Sequence, residues 1–341
     1  MTPRASFFFS IILLFFQIEI CVADYSKNKD AEKFTEIMVS KYKFKKEEIV
    51  KSLKSATKQD AIIRAMSKPA EKVKPWHSYR NIFITESRIE NGVAFWKENI
   101  NVLETAYEEF GINPEIIVSI IGIETNYGKN MGSFRVIDAL STLAFDYYTK
   151  YESRESRRLF FTHQLENLFL LAREQKIDPL SLKGSYAGAM GFGQFMPDSY
   201  RNYAVDFDND SIADIWENPT DAIGSVSNYL MRHGWEKDEI IIAKAKLTEK
   251  RAHEITYNKI SRPKKSIENF IELGLEPLDL DAKPGLKALP LKLENEAREE
   301  YWFGFQNFHV IGRYNPRVKY AMAVTQLSHL VKERFCKVHL C

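Results

Sequence analysis

The stretch PEIIVSIIGIETNYG, residues 114 to 128, determines how the rest of the chain is interpreted. Pro114 is tolerated in the first turn of a helix, because the N–H that it lacks would have no partner there. After the proline, apolar side chains occur on every side of such a helix, which is typical of a buried one. The sequence therefore predicts a buried helix over residues 115 to 126, with Glu124 near its end.

The position of Glu124 suits a general acid. Apolar neighbours disfavour the charged form of a carboxyl and raise its pKa. A rise from about 4.3 to about 6 corresponds to about 2.3 kcal/mol and keeps the proton available near neutral pH. The alternative is a structural glutamate that forms an ion pair or caps a neighbouring helix. An ordinary glycosidase uses two carboxylates, and no partner for Glu124 is identifiable from the sequence.

The second informative stretch is GSYAGAMGFGQFMP, residues 184 to 197, which holds four of the fifteen glycines. Glycine lets a backbone turn tightly and lets a ligand approach it closely. The spacing is not G-x-G-x-x-G and no Gly-Lys-Ser/Thr follows, so a phosphate-binding loop is not predicted. Ser185 and Gln194 are candidates for hydrogen bonding to a polar, uncharged ligand such as a sugar. A purely structural turn is the alternative.

The third stretch, DFDNDSIAD at residues 206 to 214, alternates aspartates as an EF-hand calcium loop does. Asp214 falls at position nine and Glu217 at position twelve, whereas Ser211 replaces the glycine usual at position six. The pattern predicts a structural Ca²⁺ site, and a solvated acidic loop is the alternative. The carboxylates at positions one, three and five are Asp206, Asp208 and Asp210.

Composition and missing motifs exclude several other classes. The chain has 341 residues, with 48 Lys and Arg against 46 Asp and Glu. Nucleic-acid binders normally carry a strong basic excess, so no nucleic-acid partner is expected. A hydrophobic fraction of 45% indicates a globular protein rather than a disordered one. The sequence has no H-E-x-x-H and no G-x-S-x-G motif, so zinc and Ser-His hydrolysis are unsupported.

Residues 1–23 are predicted to be a secretory signal peptide, cut after Ala23. The apolar run from Phe7 to Phe16 is too short for a transmembrane helix, which needs about 20 residues. An uncleaved anchor and a lipoprotein modified at Cys21 are the alternatives, and Glu19 argues against both. A periplasmic protein is expected, with membrane association only if Cys21 is lipidated.

Two cysteines, Cys336 and Cys341, remain after cleavage. They could pair in an oxidising compartment, or stay free thiols on a frayed tail.

Hydrophobic periodicity predicts a mainly α (α+β) fold with four parts after the signal peptide. One apolar helical face includes Val93, Trp96, Ile100, Leu103 and Tyr107, and a further helix is expected over residues 157 to 175. Leu289, Leu291 and Leu293 alternate as in a strand. The parts are an N-terminal helical region at 24–90, a helical core at 91–237 with the acidic loop at 206–221, a small β-rich insertion at 238–310, and a C-terminal return to the core at 311–341.

In combination these motifs resemble the lytic murein transglycosylase B family. The likeness extends from about Trp76 to Leu327. It rests on residues 121–128 and 184–197, on the acidic loop continued to Val226, and on Arg313-Tyr314-Asn315 with Tyr320-Ala321-Met322.

The resemblance implies a lysozyme-like helical core with a small β domain. It also implies cleavage of the β-1,4 bond between N-acetylmuramic acid (MurNAc) and N-acetylglucosamine (GlcNAc) in peptidoglycan. Such an enzyme is a carbon-oxygen lyase that leaves 1,6-anhydromuramoyl ends without using water. Glu124 would act first as acid and then as base, which accounts for the missing second carboxylate. A hydrolytic muramidase and a non-catalytic peptidoglycan-binding scaffold are the competing hypotheses.

The resemblance also assigns residues and partners. Peptidoglycan glycan strands are the expected partner, cell-wall synthesis or division proteins are further ones, and no organic cofactor is implied. Arg157 and Arg158 correspond to residues that meet the acidic stem peptide. The calcium loop closes on Asp221 rather than Glu217. The implied substrate-binding residues are Ser185, Gln194, Tyr229, Tyr314, Asn315, Tyr320 and Tyr79, and the implied calcium ligands are Asp206, Asp208, Asp210, Ile212 and Asp221.

Overall fold

The computed structural model of the protein describes residues 24–67, 74–151, 154–248, 251–278 and 283–339. The predicted signal peptide, Cys21 and Cys341 lie outside the described residues. Cys336 is disulfide-bonded rather than a free thiol. Within the described ranges, no helix has the length and apolar character needed to cross a membrane.

The N-terminal region consists of short helices that begin directly after the predicted cleavage site. Tyr25 lies in a single 3₁₀ turn, and its buried phenol donates a 2.6 Å hydrogen bond to Asp146. Asn28 caps the next helix, because its side chain accepts from the N–H groups of Asp30 and Ala31. These helices are α1 (Lys29–Ser40), α2 (Lys46–Ser55) and α3 (Asp60–Ser67).

The central part of the chain is helical around a buried middle helix. Helix α7 begins at Pro114, ends at Thr125, and buries every residue from 115 to 123, as the sequence predicted. It packs against four other helices, α5, α6, α11 and α14. The helices of this part are α4 (Trp76–Phe83), α5 (Glu86–Glu98), α6 (Ile100–Phe110), α7 (Pro114–Thr125), α8 (Val136–Thr142) with a π-helical continuation at Leu143–Tyr151, α9 (Glu155–Glu174), α10 (Pro197–Tyr203) and α11 (Pro219–Arg232).

The apolar face predicted between residues 93 and 107 belongs to two helices rather than one. The backbone leaves the helical conformation at Asn99, where φ is −117° and ψ is 23°. The Asn99 side chain donates to the Phe95 carbonyl at 2.8 Å, so it competes with the backbone for that acceptor. The chain therefore changes direction between α5 and α6 while both helices keep their apolar side inward.

A five-stranded antiparallel sheet follows the helical core, in the order β4-β6-β7-β3-β5. Leu289, Leu291 and Leu293 lie on its inner face, which packs on the helical core. Ala243 and Phe303 lie on the outer face, in a second small core with a short helix, α12 (Ile267–Ile271). The strands are β3 (Ile242–Leu247), β4 (Lys265–Ser266), β5 (Leu275–Pro277), β6 (Lys287–Glu294) and β7 (Glu299–Gly304); a separate two-stranded sheet pairs β1 (Phe134–Arg135) with β2 (Lys183–Gly184).

Two closing helices return the chain to the core. They are α13 (Gln306–Tyr314) and α14 (Val318–Cys336), and α14 packs along α7, α5 and α4. The fold is therefore mainly helical with one small sheet, as predicted. The proposed boundaries at residues 90 and 310 fall inside α5 and α13, so the division into domains stays a prediction.

Candidate active site

Glu124 lies in the last turn of α7, partly exposed at the end of an otherwise buried helix. Its Oε1 accepts a 2.6 Å hydrogen bond from the Tyr320 hydroxyl. Burial raises the pKa of Glu124 to about 7, and the hydrogen bond from Tyr320 opposes that rise. Within the described residues Glu124 forms no ion pair. Its surroundings are therefore those that a general acid needs.

The backbone beyond Glu124 makes a left-handed turn. Asn126, Tyr127 and Gly128 have φ values of 51°, 60° and 84°. Non-glycine residues in this region store about 1 to 3 kcal/mol of strain, and such strain occurs often at functional sites. Thr125 holds the turn, since its hydroxyl accepts from the Gly128 N–H at 3.0 Å and donates to the Phe192 carbonyl at 3.0 Å. The sequence motif contains these residues, but the sequence alone predicts no role for them.

The glycine-rich stretch folds against this turn. A Cβ at Gly128 would lie 2.4 Å from the Phe192 ring, so the contact requires glycine. Gln194 adopts a φ of 52°, and its side-chain amide donates to the carbonyls of Met131 and Gly191 at 3.2 and 3.0 Å. The Gln194 side-chain oxygen accepts no hydrogen bond from the described residues. It is thus the part of this side chain that a ligand can use.

Ser185 has less free hydrogen-bonding capacity for a ligand than Gln194. Its hydroxyl oxygen accepts from the Ala189 N–H at 3.1 Å and from the Ala187 N–H at 3.4 Å. It therefore shapes the loop in addition to any role in binding.

Three of the predicted tyrosines surround Glu124. Tyr320 donates a hydrogen bond to Glu124 directly. Burial raises the phenol pKa of Tyr79, to about 12, and that of Tyr314, and the negative charge of Glu124 adds to both increases. Tyr314 donates a 2.5 Å hydrogen bond to the Gly193 carbonyl, which ties the end of α13 to the glycine-rich loop. The structure therefore brings together residues that lie some 240 positions apart in the sequence.

Tyr229 and Asn315 both lie next to Tyr314. Tyr229 is buried, donates to the Arg313 carbonyl at 2.7 Å, and packs edge-on against Tyr314 with ring centroids 4.8 Å apart. Tyr229 therefore supports the ring of Tyr314. Asn315 is half-exposed at the end of α13, next to Tyr314.

The acidic loop brings its three aspartates together. Asp206, Asp208 and Asp210 each offer a carboxylate oxygen within 4.8 Å of the others. Ser211 takes a φ of 79°, so it adopts the left-handed conformation that glycine supplies in other calcium loops. Clustered carboxylate oxygens are ligands that a hard cation prefers, so this donor set fits Ca²⁺.

Asp221 closes the loop from the first turn of α11. Its two carboxylate oxygens accept from the N–H groups of Phe207 and Asp214, both at 2.7 Å. Burial raises the pKa of Asp221, and these two hydrogen bonds oppose the rise. The Ile212 side chain is 50% exposed, and Glu217 is exposed on the surface.

Arg157 and Arg158 contact other side chains of α9. Arg158 forms a two-pronged ion pair with Glu155, at 2.8 and 2.6 Å. Arg157 lies 4.9 Å from the ring centre of Phe160 and 5.0 Å from that of Phe161. Both guanidinium groups therefore have partners within the protein.

A lysozyme-like helical core and a protonatable carboxyl walled by tyrosines define the class of this protein, which is a peptidoglycan lytic transglycosylase. Residues 26–329 match the family model of the transglycosylase SLT domain. The chain is 40% identical over 317 residues to membrane-bound lytic murein transglycosylase B of Escherichia coli K12, covering 90% of this chain and 84% of that protein. The chain belongs to the lytic murein transglycosylase B family.

Solved structures show the same fold. Soluble lytic transglycosylase SltB1 from Pseudomonas aeruginosa is 43% identical with a TM-score of 0.82, covering 89% of this chain and 99% of that one. The E. coli enzyme Slt35 in complex with calcium is 38% identical with a TM-score of 0.82, covering 92% and 96%. P. aeruginosa SltB3, in complex with NAG-anhNAM-pentapeptide, is 26% identical with a TM-score of 0.75, covering 89% and 78%. Relatives of this chain thus bind peptidoglycan fragments and calcium.

Proposed function

We propose that the protein cleaves the MurNAc–GlcNAc β-1,4 bond of peptidoglycan without water and leaves 1,6-anhydromuramoyl ends. The observation that carries this proposal is the single carboxyl group of Glu124, whose pKa of about 7 keeps a proton available near neutral pH. The groups that shift this pKa are its buried surroundings and the Tyr320 phenol, and neither is a second carboxylate. One group that both gives and takes a proton therefore suits the site.

Glu124 acts twice in the proposed reaction. It first donates its proton to the glycosidic oxygen, which leaves with the GlcNAc unit as the bond to the muramoyl C1 breaks. The 2-acetamido group of the substrate assists at C1. The Glu124 carboxylate then takes the proton of the muramoyl 6-hydroxyl, whose oxygen bonds to C1. The reaction leaves Glu124 protonated for the next cycle, and no water is consumed.

The surrounding residues bind and orient the glycan. The half-buried Tyr314 ring suits stacking on a sugar face, and Gln194 offers its free amide oxygen. Tyr320 orients the Glu124 carboxyl group, whereas Tyr79 is 1% exposed and supports the pocket from within the core. Ser185 and Asn315 extend the polar lining, while Tyr229 supports the ring of Tyr314. Glycan strands of peptidoglycan are the partner that this lining suits, and cell-wall synthesis or division proteins are further proposed partners.

Asp206, Asp208 and Asp210, with the Ile212 carbonyl and Asp221, are proposed to hold a structural Ca²⁺. The carboxylate cluster within 4.8 Å supports the site, as does the calcium complex of the relative Slt35. The ion would offset two of the three adjacent negative charges and fix the loop that leads into α11. We propose no organic cofactor.

Digestion of purified sacculi tests the reaction directly. Mass spectrometry of the products is expected to show 1,6-anhydromuramoyl ends. Glu124→Gln should lower the turnover by about 10³-fold while binding to sacculi persists, because loss of a general acid costs roughly 10² to 10⁴-fold. Glu115→Gln is the matched control on the same helix, since Glu115 pairs with Lys332 at 2.9 Å away from the site.

The competing hypotheses give different results in the same digest. Hydrated reducing ends without anhydro ends would identify a hydrolytic muramidase. Binding without any product from the unmodified protein would identify a scaffold. Full activity in the Glu124→Gln variant would show that Glu124 is not the acid and base of the reaction.

A further inference from the structure

The side chain of Tyr127, three residues after Glu124, fills a slot between α5 and α7. A Cβ on Gly92 of α5 or on Gly122 of α7 would lie 2.5 Å from the Tyr127 hydroxyl oxygen. Protein interiors are close-packed and yield little to such an overlap, so both walls of the slot require glycine. The Phe95 ring closes the slot, with its centroid 5.6 Å from that of Tyr127. The Tyr127 ring is therefore held between two helices.

The Tyr127 hydroxyl anchors the ring to α5. It donates a hydrogen bond to the Arg88 carbonyl at 3.0 Å. Burial raises the pKa of this phenol above its ordinary value of 10.0, and the charge of Arg88 opposes the rise. The phenol therefore keeps its proton near neutral pH and remains a hydrogen-bond donor. The proposed reaction transfers no proton to it or from it.

The backbone at Tyr127 reverses direction in a Schellman motif. The Asn126 N–H donates to the Gly122 carbonyl at 3.0 Å, and the Tyr127 N–H donates to the Ile121 carbonyl at 3.4 Å. Glycine usually occupies the left-handed position of this motif, but here both Asn126 and Tyr127 have positive φ values. A side-chain contact back to the helix often accompanies the motif. The Tyr127 ring makes this contact against Gly122, so the side chain stabilises a turn that the backbone disfavours.

Tyr127 supports the face of α7 that lies opposite the carboxyl group. Gly122 and Glu124 are two positions apart, which is about 200° around a helix of 3.6 residues per turn. The ring packs on Gly122, whereas the Glu124 side chain accepts its hydrogen bond from Tyr320 at 2.6 Å. The last turn of α7 is thus held on one side by Tyr127, and the carboxyl group is held on the other side by Tyr320.

We propose that Tyr127 is a positioning residue, which fixes the last turn of α7 so that the Glu124 carboxyl group stays within reach of Tyr320 and of the glycosidic oxygen. Misplacement of a reacting group by about 1 Å can lower a rate about 10²-fold. A residue that fixes this turn therefore affects catalysis without touching the sugar. The inference rests on the proposed function in taking Glu124 as the acid and base.

Steady-state digestion of soluble glycan strands by Tyr127→Leu tests the proposal. The substitution removes the hydroxyl and the ring atoms that fill the slot. The kcat is expected to fall about 10²-fold with KM unchanged, because the Glu124 carboxyl group moves while the residues proposed to bind the glycan stay. Tyr42→Leu is the matched control and should keep the unmodified kcat, since Tyr42 is also half-buried and donates one hydrogen bond, to Glu166 at 3.0 Å.

The pH profile separates positioning from a general loss of stability. When the last turn of α7 moves, Glu124 loses the hydrogen bond from Tyr320, and its pKa rises. The alkaline limb of kcat/KM in Tyr127→Leu should therefore move to higher pH, as it should in Tyr320→Phe. The variant with both substitutions should show no further movement. A lower Tm with kcat and the alkaline limb unchanged would overturn the proposal.

Gly122→Ala disturbs the same ring from within α7. The three atoms nearest to the added methyl group all belong to Tyr127, at 2.5, 2.6 and 2.9 Å. The kcat of this variant is expected to fall by a similar factor. Because both substitutions act through one ring, the double variant with Tyr127→Leu should retain the kcat of Tyr127→Leu alone. Losses that multiply would show two independent effects and would contradict the proposal.

Tyr127→Phe keeps the test decisive if Tyr127→Leu does not fold. It retains the ring and loses only the hydrogen bond to the Arg88 carbonyl, and its kcat is expected to fall about fivefold. An unchanged kcat in this variant also overturns the proposal. The Tyr127 variants are compared with Glu124→Gln in the same assay. A Glu124→Gln variant that remains active would instead refute the proposed reaction.

Discussion

At the scale of single residues, the hydrogen bond from Tyr320 to Glu124 determines how protons are held in the site. A donor to a carboxylate stabilises the charged form and lowers its pKa. The phenol therefore opposes the effect of burial, and the pKa of Glu124 reaches about 7 rather than a higher value. The site balances two opposing influences on one proton.

Removal of that hydrogen bond should move the pH profile. In Tyr320→Phe the pKa of Glu124 is expected to rise above about 7. Because the first step needs protonated Glu124, the alkaline limb of kcat/KM should move to higher pH. Tyr229→Phe is the control, since its hydroxyl bonds to the Arg313 carbonyl instead. A shift to lower pH, or none, would contradict this account.

The raised pKa of Glu124 also has a consequence for stability. An unfolded glutamate ionises near 4.5, whereas Glu124 in the fold ionises near 7. The unfolded state therefore releases its proton first, and stability relative to Glu124→Gln is complete below pH 4.5 and lost up to about pH 7. The loss is at most about 3 kcal/mol.

Thermal unfolding of both proteins across this range measures the effect. The Tm of Glu124→Gln minus that of the unmodified protein should increase between pH 4.5 and 7 and then level off. A constant difference would mean that Glu124 is ionised in the fold throughout.

The sequence predicted the carboxyl group of Glu124 and its helix, but not the contacts around them. The apolar run before Glu124 predicted a buried helix and a raised pKa, and the structure has both. The turn held by Thr125 was not predictable, because it depends on a hydrogen bond from Thr125 to the Phe192 carbonyl, 67 positions away. The hydrogen bond between Arg80 and Gln326 was also not predictable, since the two residues lie 246 positions apart.

At the scale of elements, the acidic loop and α11 form one unit. Asp221, in the first turn of α11, accepts hydrogen bonds from both ends of the loop, at Phe207 and Asp214. The three clustered carboxylates repel one another unless a cation lies between them. Loop order and the start of α11 should therefore depend on calcium.

Calcium is expected to raise the Tm by several degrees, because a ligand that binds only the folded state stabilises it. Asp208→Ala should abolish this shift, since it removes one of the three clustered carboxylates. Glu217→Gln is the matched control from the same loop and should keep the shift. An equal Tm shift with calcium in Asp208→Ala would show that calcium does not bind at this loop.

Strand alternation was the most reliable prediction at this scale. Leu289, Leu291 and Leu293 face the helical core, as the period of two predicted. The break at Asn99 was not predicted, because the apolar spacing continues across it and only the Asn99 side chain interrupts the helix. The sheet order was likewise beyond reach, since it pairs β3 with strands that are distant in sequence.

At the scale of the whole molecule, the first described residues already contact the rest of the fold. Asp24 caps the first turn through the Ser26 N–H at 3.0 Å, and the Tyr25 ring is buried against Phe145. A cut after Ala23 therefore leaves no spare segment before the fold. The cleaved signal peptide and the periplasmic location stay predictions from the sequence.

N-terminal sequencing of the exported protein is expected to begin at Asp24. Cys21→Ser should leave the amount and the location of the protein unchanged, because Cys21 is removed with the signal peptide. Partition into detergent, together with fatty-acid labelling that Cys21→Ser abolishes, would instead establish a lipoprotein.

The late position of Tyr320 has a consequence for biosynthesis. Glu124 is made when little more than a third of the chain has been translated, yet its phenol partner follows almost 200 residues later, in α14. A nascent or partly exported chain therefore has its acid without the group that orients it. The complete pair of acid and phenol therefore forms only after nearly the whole polypeptide has been synthesised and folded.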